Sequence, residues 1–334
     1  MQLIPVSIIV PCFNEQATIR LLLDAIYQQT YPRAVLEVII VDGMSTDRTR
    51  EEVTAFQREH PDLPIKIIAN LDRIIPAGVN LGIDAAEGEI LIRLDGHAVP
   101  VRGYVERCVQ DLEAGLGDNV GGVWDIRPAR SGAIASGIAI AASHPLGVGD
   151  AHYRYTSHSQ AVDTVPFFAF HRGLINRIGK YDESLLTNED YEFNVRIRQS
   201  GGTVWLDPDI RSTYYARSTL DALARQYWRY GFWKGRMLLR YPRTIRWRQA
   251  LPPAFIASII GLSLLSLWIP LARLFLVAII LVYVAVLSIA GVWESYKKKQ
   301  LPLLITLPLA IVTMHLSWGI ALWWSLIKFI TAKT

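Results

Sequence analysis

Ile90-Leu91-Ile92-Arg93-Leu94-Asp95-Gly96-His97 decides how this chain reads. A run of branched apolar residues predicts a buried strand, and Gly96 predicts the turn that ends it. In an open α/β sheet, ligands gather beyond the carboxyl ends of the strands, which is where Asp95 and His97 would stand. Asp95 offers hard oxygens to Mg²⁺ or Mn²⁺, and His97 adds a nitrogen that Mn²⁺ accepts more readily than Mg²⁺ does. Acids also end strands as plain turn formers, so the tripeptide alone leaves both readings open.

Upstream, the chain repeats a strand–helix pattern. Val6–Val10 predicts a strand, and Glu15–Gln28 a helix with Ile19, Leu22, Leu23 and Ile26 at helical spacing. Leu36–Val41 predicts a second strand ending at Asp42-Gly43, and Ser45 or Thr46 can cap a helix through Phe56. Ile65–Ala69 and Ile74–Ala86 supply the next strand and helix before Ile90–Leu94. Strands alternating with helices imply parallel βαβ units with right-handed crossovers. No Gly-x-Gly-x-x-Gly follows the first strand and no Gly-Lys-Ser/Thr phosphate loop occurs, which argues against a dinucleotide dehydrogenase and a P-loop NTPase.

Downstream, Ser131–Ser143 is too short and too rich in small residues for a membrane span, and reads as a loop or a short buried helix. Val165–Phe170 predicts a strand. Glu189–Ser200 predicts a helix stopped by Gly201-Gly202, with Glu189, Asp190 and Glu192 in its first turn. Acids there compensate the helix dipole, but three of them after an aromatic strand and a loop equally suit a carboxylate site.

Composition divides the chain. Its 334 residues are 51% hydrophobic and 19% charged, and residues 251–334 hold very few of those charges. Cys12 and Cys108 give no disulfide framework and fit a reducing compartment; Cys12 reads as a packing residue rather than a nucleophile. The N-terminus lacks the basic n-region and long apolar run of a secretory signal. Arg225, Arg229, Lys234, Arg236, Arg240, Arg243, Arg246 and Arg248 form a basic block without an acid among them, interleaved with apolar and aromatic residues over Leu220–Tyr241. Followed by apolar segments, this pattern predicts an interfacial helix at a membrane surface rather than a nucleic-acid partner; a soluble helix packed on the rest of the protein is the alternative. Three spans are expected, 251–270, 274–293 and 301–327. Lys297-Lys298-Lys299 and the basic block then place residues 1–250 in the cytoplasm and the C-terminus outside.

With these segments assembled, the chain resembles family 2 glycosyltransferases of the GT-A fold, in particular the membrane-bound enzymes of succinoglycan-type exopolysaccharide assembly. Val6–Glu15 is similar to the family's opening strand and nucleotide-contacting turn, and Val41–Asp47 to its uracil-contacting turn, with Gly43 where a second Asp is usual. Asn80 fits an Asn-x-Gly helix, Asp95-Gly96-His97 stands at the family's Asp-x-Asp, and Asn188–Glu192 resembles its Glu-Asp motif. Gln226–Tyr230 resembles a Gln-x-x-Arg-Trp motif with Tyr230 in place of Trp.

The resemblance implies a mostly parallel α/β sheet with helices on both faces in a cytoplasmic catalytic domain over 1–218, a basic interfacial segment over 219–250 and a membrane domain over 251–334. It implies an inner-membrane enzyme that transfers a sugar, glucose by analogy, from a UDP-sugar to a lipid-linked or polysaccharide acceptor, with inversion. Asp190 would be the general base and Glu189 its partner. Pro11, Asn14, Glu15, Asp42, Ser45, Asn80 and Asp95 would contact the nucleotide sugar. Asp95 and His97 would hold Mg²⁺ or Mn²⁺, and Gln226, Trp228 and Arg229 would face the acceptor or the diphosphate. Gly147–Asp163 would be a flexible segment near that site. Transfer to polyprenyl phosphate, or a catalytically silent nucleotide-sugar-binding module, are the rival readings.

Overall fold

In the computed structural model, which describes residues 3–331, Val6–Cys12 forms strand β1, and every residue of it is buried. Cover on both faces is why this strand lacks a polar–apolar alternation. There follow α1 (Ile19–Tyr27), β2 (Leu36–Asp42), α2 (Thr49–Glu59), β3 (Ile65–Ala69), α3 (Ile75–Ala85) and β4 (Ile90–Arg93). β1 pairs in parallel with β2 and β4, and β2 with β3, giving the order β3-β2-β1-β4. On one face Ile8 and Val10 share a core with Leu22, Leu23 and Ile26 of α1 and with Val53 and Phe56 of α2. Burying side chains of this size contributes ~1.5–3 kcal/mol each. On the other face Ile9 meets α3 at Gly82, where any Cβ would collide with the Ile9 side chain.

The chain continues through β5 (Val99–Pro100), α4 (Tyr104–Glu113), β6 (Asn119–Pro128), α5 (Ala133–Ala141), α6 (Pro145–Val148), β7 (Gln160–Ala161), β8 (Ala169–His171), α7 (Leu174–Ile178), α8 (Glu189–Gln199) and β9 (Val204–Ala216). β8 is antiparallel to both β4 and β6, and the sheet runs on as β4-β8-β6-β9-β5, with β7 also on β9. The parallel half is the part read from the sequence. In the antiparallel half β5, β7 and β8 are two or three residues long, too short to leave a periodicity, while β6 and β9, of 10 and 13 residues, carry glycines, prolines or charges that break one.

Helices α9 (Leu220–Arg240), α10 (Trp247–Leu265), α11 (Pro270–Lys298) and α12 (Leu303–Thr331) complete the chain. By length and composition α10, α11 and residues Leu303–Phe329 of α12 could each cross a membrane. The first boundary shifts from the expected 270 because Pro270 begins α11, its missing N–H costing nothing at a first helical position.

Two compact units emerge, one made of the chain through Asp125 together with Tyr155–Tyr214, the other of Ile126–Arg154 together with the chain from Tyr215. The second unit therefore takes an internal segment that a break at 218 assigns to the first. Small residues explain it: Gly137 of α5 packs on Thr306 of α12, and a Cβ at Gly147 of α6 would lie 3.0 Å from Met314 Cε. Asp150, in the stretch read as flexible, is tied down: it accepts from Trp247 Nε1 at 3.0 Å and pairs with Arg246 and Arg248.

In the first unit, Asp111 of α4 is buried beside Asp207 of β9, with Arg107 Nε 2.5 Å from Asp207 and 3.3 Å from Asp111. Burial, then the neighbouring Asp207, pushes the Asp111 carboxyl up to about 7. The folded protein thus keeps a proton that the unfolded chain releases near pH ~4. This contribution to stability is fully present below pH ~4 and is lost as pH rises through about 7. Asp111→Asn cannot titrate, so its melting temperature should fall less than that of the wild type between weakly acidic and weakly basic buffer; equal falls would refute the assignment.

Candidate active site

The strand order reverses at β1, since β2 and β3 lie to one side of it and β4 to the other. Loops beyond β1, β2 and β4 therefore diverge around one crevice, the usual ligand position in such sheets. The first two loops are stitched together. Gly43 N donates to Cys12 O at 2.8 Å, Asn14 N to Ser45 Oγ at 2.9 Å, Thr46 N to Asn14 Oδ1 at 2.8 Å and Glu15 N to Thr49 Oγ1 at 2.8 Å. Asn14 and Met44 adopt left-handed backbone, φ 56° and 63°. Non-glycine residues hold that conformation only where surroundings enforce it, as this stitching does.

Asp42 lies buried at the end of β2, accepting from Ser45 N at 3.1 and 3.2 Å and pairing with Arg50. Its carboxylate shapes the turn that presents Ser45. Pro11 sits within β1, with α3 against it at Gly78. Burial, then Asp42 and Glu15, pushes the Cys12 thiol up to about 12, which fits packing and not a nucleophile.

Beyond β4, Gly96 closes over Glu15 and Cys12: a Cβ there would lie 3.0 Å from Glu15 Cγ and 3.1 Å from Cys12 Cβ. This brings His97 Nδ1 to 2.9 Å from Glu15 Oε1. Burial raises the Glu15 carboxyl, but hydrogen bonds from His97 and Thr18 outweigh it and hold the group below its ordinary value. An imidazole donating Nδ1–H to a carboxylate presents Nε2 as its lone-pair nitrogen, the arrangement that orients metal-ligating histidines.

The centre of the site is a residue the motifs pass over. Arg93, in β4, pairs with Asp190, lies 3.0 Å through Nη2 from Asp95 Oδ1 and 3.4 Å from Glu189 Oε1. Burial disfavours its charge, yet Asp95 and Glu189 more than compensate and raise its pKa. The side chains of Arg93 and Glu189 are 4% and 8% exposed, whereas those of Asp95 and Asp190 are 29% and 31%. Arg93 and Glu189 thus form the floor, and Asp95 and Asp190 face outward from it. Arg93 ends β4, and Asp95 stands two residues beyond it within reach of the same guanidinium. A charge inside an otherwise apolar strand was the available signal.

Asn188, left-handed at φ 67°, turns the chain into α8 and sets Glu189 and Asp190 toward Arg93. Glu192 has a different task. Fully buried, it meets Arg196 at 2.7 and 2.9 Å, and Arg196 donates to Gly179 O at 3.2 Å and Lys180 O at 2.8 Å, fixing the approach to the site. Asn80 is likewise engaged within the protein: Nδ2 donates to Tyr181 O at 3.0 Å and Glu183 Oε1 at 2.7 Å, and Oδ1 accepts from Tyr181 N at 2.9 Å. Its amide shapes the loop leading to α8. In the other unit, Gln226, Trp228 and Arg229 lie on α9; Gln226 Nε2 donates to Tyr230 Oη at 2.9 Å, and Trp228 and Arg229 are exposed.

Among the described residues, no three His, Cys, Asp or Glu side chains converge to hold a metal ion by themselves. The donors Asp95 and His97, an outward carboxylate and an imidazole oriented by Glu15, are of the types a divalent cation takes, and a diphosphate or water would have to supply the rest.

Residues 7–179, just over half of the chain, match the family model described as Glycosyl transferase family 2. The succinoglycan biosynthesis protein ExoA of Rhizobium meliloti is 29% identical over 96% of this chain and 95% of its own. The dolichyl N-acetyl-α-D-glucosaminyl phosphate 3-β-D-2,3-diacetamido-2,3-dideoxy-β-D-glucuronosyltransferase of Methanococcus voltae is 27% identical over 93% of each chain. Among solved structures, the mannosyltransferase PcManGT of Pyrobaculum calidifontis, in complex with GDP-Man and Mn²⁺, superposes with a TM-score of 0.64 at 23% identity, covering 94% of this chain and 88% of that one.

Proposed function

Because the chain belongs to glycosyl transferase family 2 and is a GT-A-fold hexosyltransferase, we propose that it transfers glucose from UDP-glucose to a lipid-linked oligosaccharide or growing polysaccharide, with inversion. The observation that carries the reading is the floor formed by Arg93, which holds an outward Asp95 and an outward Asp190 together. Such a site can act on a sugar diphosphate from one side and on an acceptor hydroxyl from the other.

In the proposed reaction the acceptor oxygen forms its bond to the anomeric carbon as the bond to the diphosphate oxygen breaks. The hydroxyl proton passes to Asp190, a general base within the substrate's reach. Glu189 and Arg93 fix the carboxylate that receives it. The loops joined through Asn14 and Ser45 hold the nucleotide, with Pro11 and Asp42 shaping them, and Asn80 acts through the loop it clamps. Asp95 and His97 would hold a divalent cation, Mn²⁺ or Mg²⁺, which would supply Lewis-acid neutralisation of the departing diphosphate. The resemblance assigns Gln226, Trp228 and Arg229 to the acceptor or diphosphate, and that assignment is part of the proposal. The apolar C-terminal helices and the lipid-linked chemistry named for the M. voltae relative support a membrane acceptor, and the basic residues before α10 support a cytoplasmic catalytic unit in the inner membrane.

Membranes containing the protein should move label from UDP-glucose into extracted lipid. Label moving from GDP-mannose instead would overturn the donor assignment, for which the PcManGT complex supplies the contrast. Chelation should stop transfer and Mn²⁺ restore it; transfer indifferent to chelator would remove the metal from the reading. Glu15→Gln weakens the orientation of His97, so its activity should need ~10–100-fold more Mn²⁺. An unchanged Mn²⁺ requirement would show that the Glu15–His97 pair serves only the turn.

A further inference from the structure

Helices α10 and α11 form a hairpin whose turn carries the exposed Trp268 and is closed by Arg273 Nη2 donating to Ser266 O at 2.8 Å. The other end of the hairpin is charged. The chain enters α10 behind Arg246 and Arg248, both held on Asp150, and leaves α11 at Lys297, Lys298 and Lys299. Arg246, Arg248 and three lysines at one end, against the single Arg273 at the turn, orient the hairpin across a bilayer.

Helix α12 meets this hairpin along its charged half. A Cβ at Gly291 would lie 2.9 Å from Leu304 O and 3.1 Å from Pro308 Cγ. Trp318 Nε1 donates to Gln249 O at 3.0 Å, Trp323 Nε1 to Pro253 O at 2.8 Å, and Gly319 packs on Pro252. At 1.5 Å per residue, Gly291 is about 32 Å and Pro252 about 20 Å from the hairpin turn. Trp318 and Trp323 meet α10 within its first two turns, on the side where the chain enters the hairpin.

The far end of α12 is pinned as well. Gly235 of α9 packs on Ser325, Phe232 lies 6.0 Å from Phe329, and the Arg236 guanidinium lies 5.0 Å from the Phe329 ring. Helix α9 also bears Arg225, Arg229 and Arg240, and reaches α10 through residues 241–246 alone, with Lys234 Nζ donating to Thr244 O at 3.1 Å. Such a helix stays at the headgroups on the side where the chain enters the hairpin. More of α12 than of the hairpin is met by protein: 39% of its apolar window is buried inside the molecule, against 17% for each helix of the hairpin. Even His315, mid-helix, is matched on both nitrogens, at 2.9 Å from Tyr283 Oη and 2.9 Å from Leu146 O.

We propose that α12 does not cross the membrane. It lies obliquely in one leaflet with both ends at the headgroups, packed with α9 into a basic surface for anionic lipid, while the α10–α11 hairpin makes the crossing. The end of α12 then stands on the side of Lys297–Lys299, opposite to the arrangement three crossings would give. Its topology is read without enzyme turnover, so it stands or falls apart from the glucosyltransferase reading.

The test uses full-length Lys299→Cys, Lys328→Cys and Trp268→Cys proteins in inside-out and right-side-out vesicles, probed with a membrane-impermeant maleimide. Both native cysteines are buried. Lys328→Cys should label from the same side as Lys299→Cys, and Trp268→Cys from the other. Labelling of Lys328→Cys from the Trp268 side, or from neither side, would overturn the proposal. So would labelling of Trp268→Cys from the Lys299 side.

Discussion

Asp190→Asn is expected to lower kcat for sugar transfer by ~10²–10⁴-fold, the usual worth of a positioned general base. The substitution keeps shape, and its amide oxygen can still accept from Arg93, so the floor of the site should persist and donor affinity should change little. Glu189→Gln should cost much less in kcat, because Glu189 is buried beneath Arg93 while Asp190 faces outward. Labelled-sugar transfer measured beside UDP binding separates the two. Equal transfer by the wild type and Asp190→Asn, or a larger loss in Glu189→Gln, would move the base elsewhere.

Arg93→Met should have the largest effect on stability, ~3–5 kcal/mol, because removing one partner of a buried ionic group leaves the others uncompensated. Methionine fills much of the stem's volume, so the loss reports charge and not a cavity. Three carboxylates, Asp95, Glu189 and Asp190, would then face one another without a cation. Adding Glu189→Gln to Arg93→Met should recover part of the loss, a non-additivity expected of groups in one network. Arg93→Lys should rescue poorly, since a single ammonium cannot reproduce a planar fork reaching three acids. Thermal melts of the solubilised variants decide this: an Arg93→Met protein that melts with the wild type would reduce the cluster to surface electrostatics. On the proposed roles of Asp95 in donor binding and of Asp190 as base, Arg93→Met should also weaken UDP binding and kcat together, whereas Asp190→Asn should lower kcat alone.

Much of the catalytic unit could be read before any coordinates. β1, β2, β3 and β4 run as mostly apolar segments between helices of 3.6-residue periodicity, and both signals are local. Ile65–Ala69 was bounded as it is found, and Ile90–Leu94 ends one residue beyond β4. The crevice followed from topology, because loops after β1, β2 and β4 must share one edge of the sheet. The tasks of the acids did not follow. Glu189, Asp190 and Glu192 sit in one helical turn, yet the first two meet Arg93 and the third meets Arg196. Asn80 matched a nucleotide-site motif and is found clamping Tyr181 and Glu183, about a hundred residues away.

What the residues by themselves determined was the order of elements through β4, the acids at the ends of β2 and just beyond β4, and the split into a mixed α/β region and an apolar tail. Those features depend on neighbours in the chain, whose spacing shows which face each side chain takes. Only the tertiary structure decided which carboxylates share Arg93, that residues 126–154 belong with the C-terminal helices, and what covers α12. These depend on pairs far apart in sequence, such as Arg93 with Asp190 and Gly137 with Thr306. No periodicity records such pairs, because each is fixed by the packing of whole elements and not by the residues beside it.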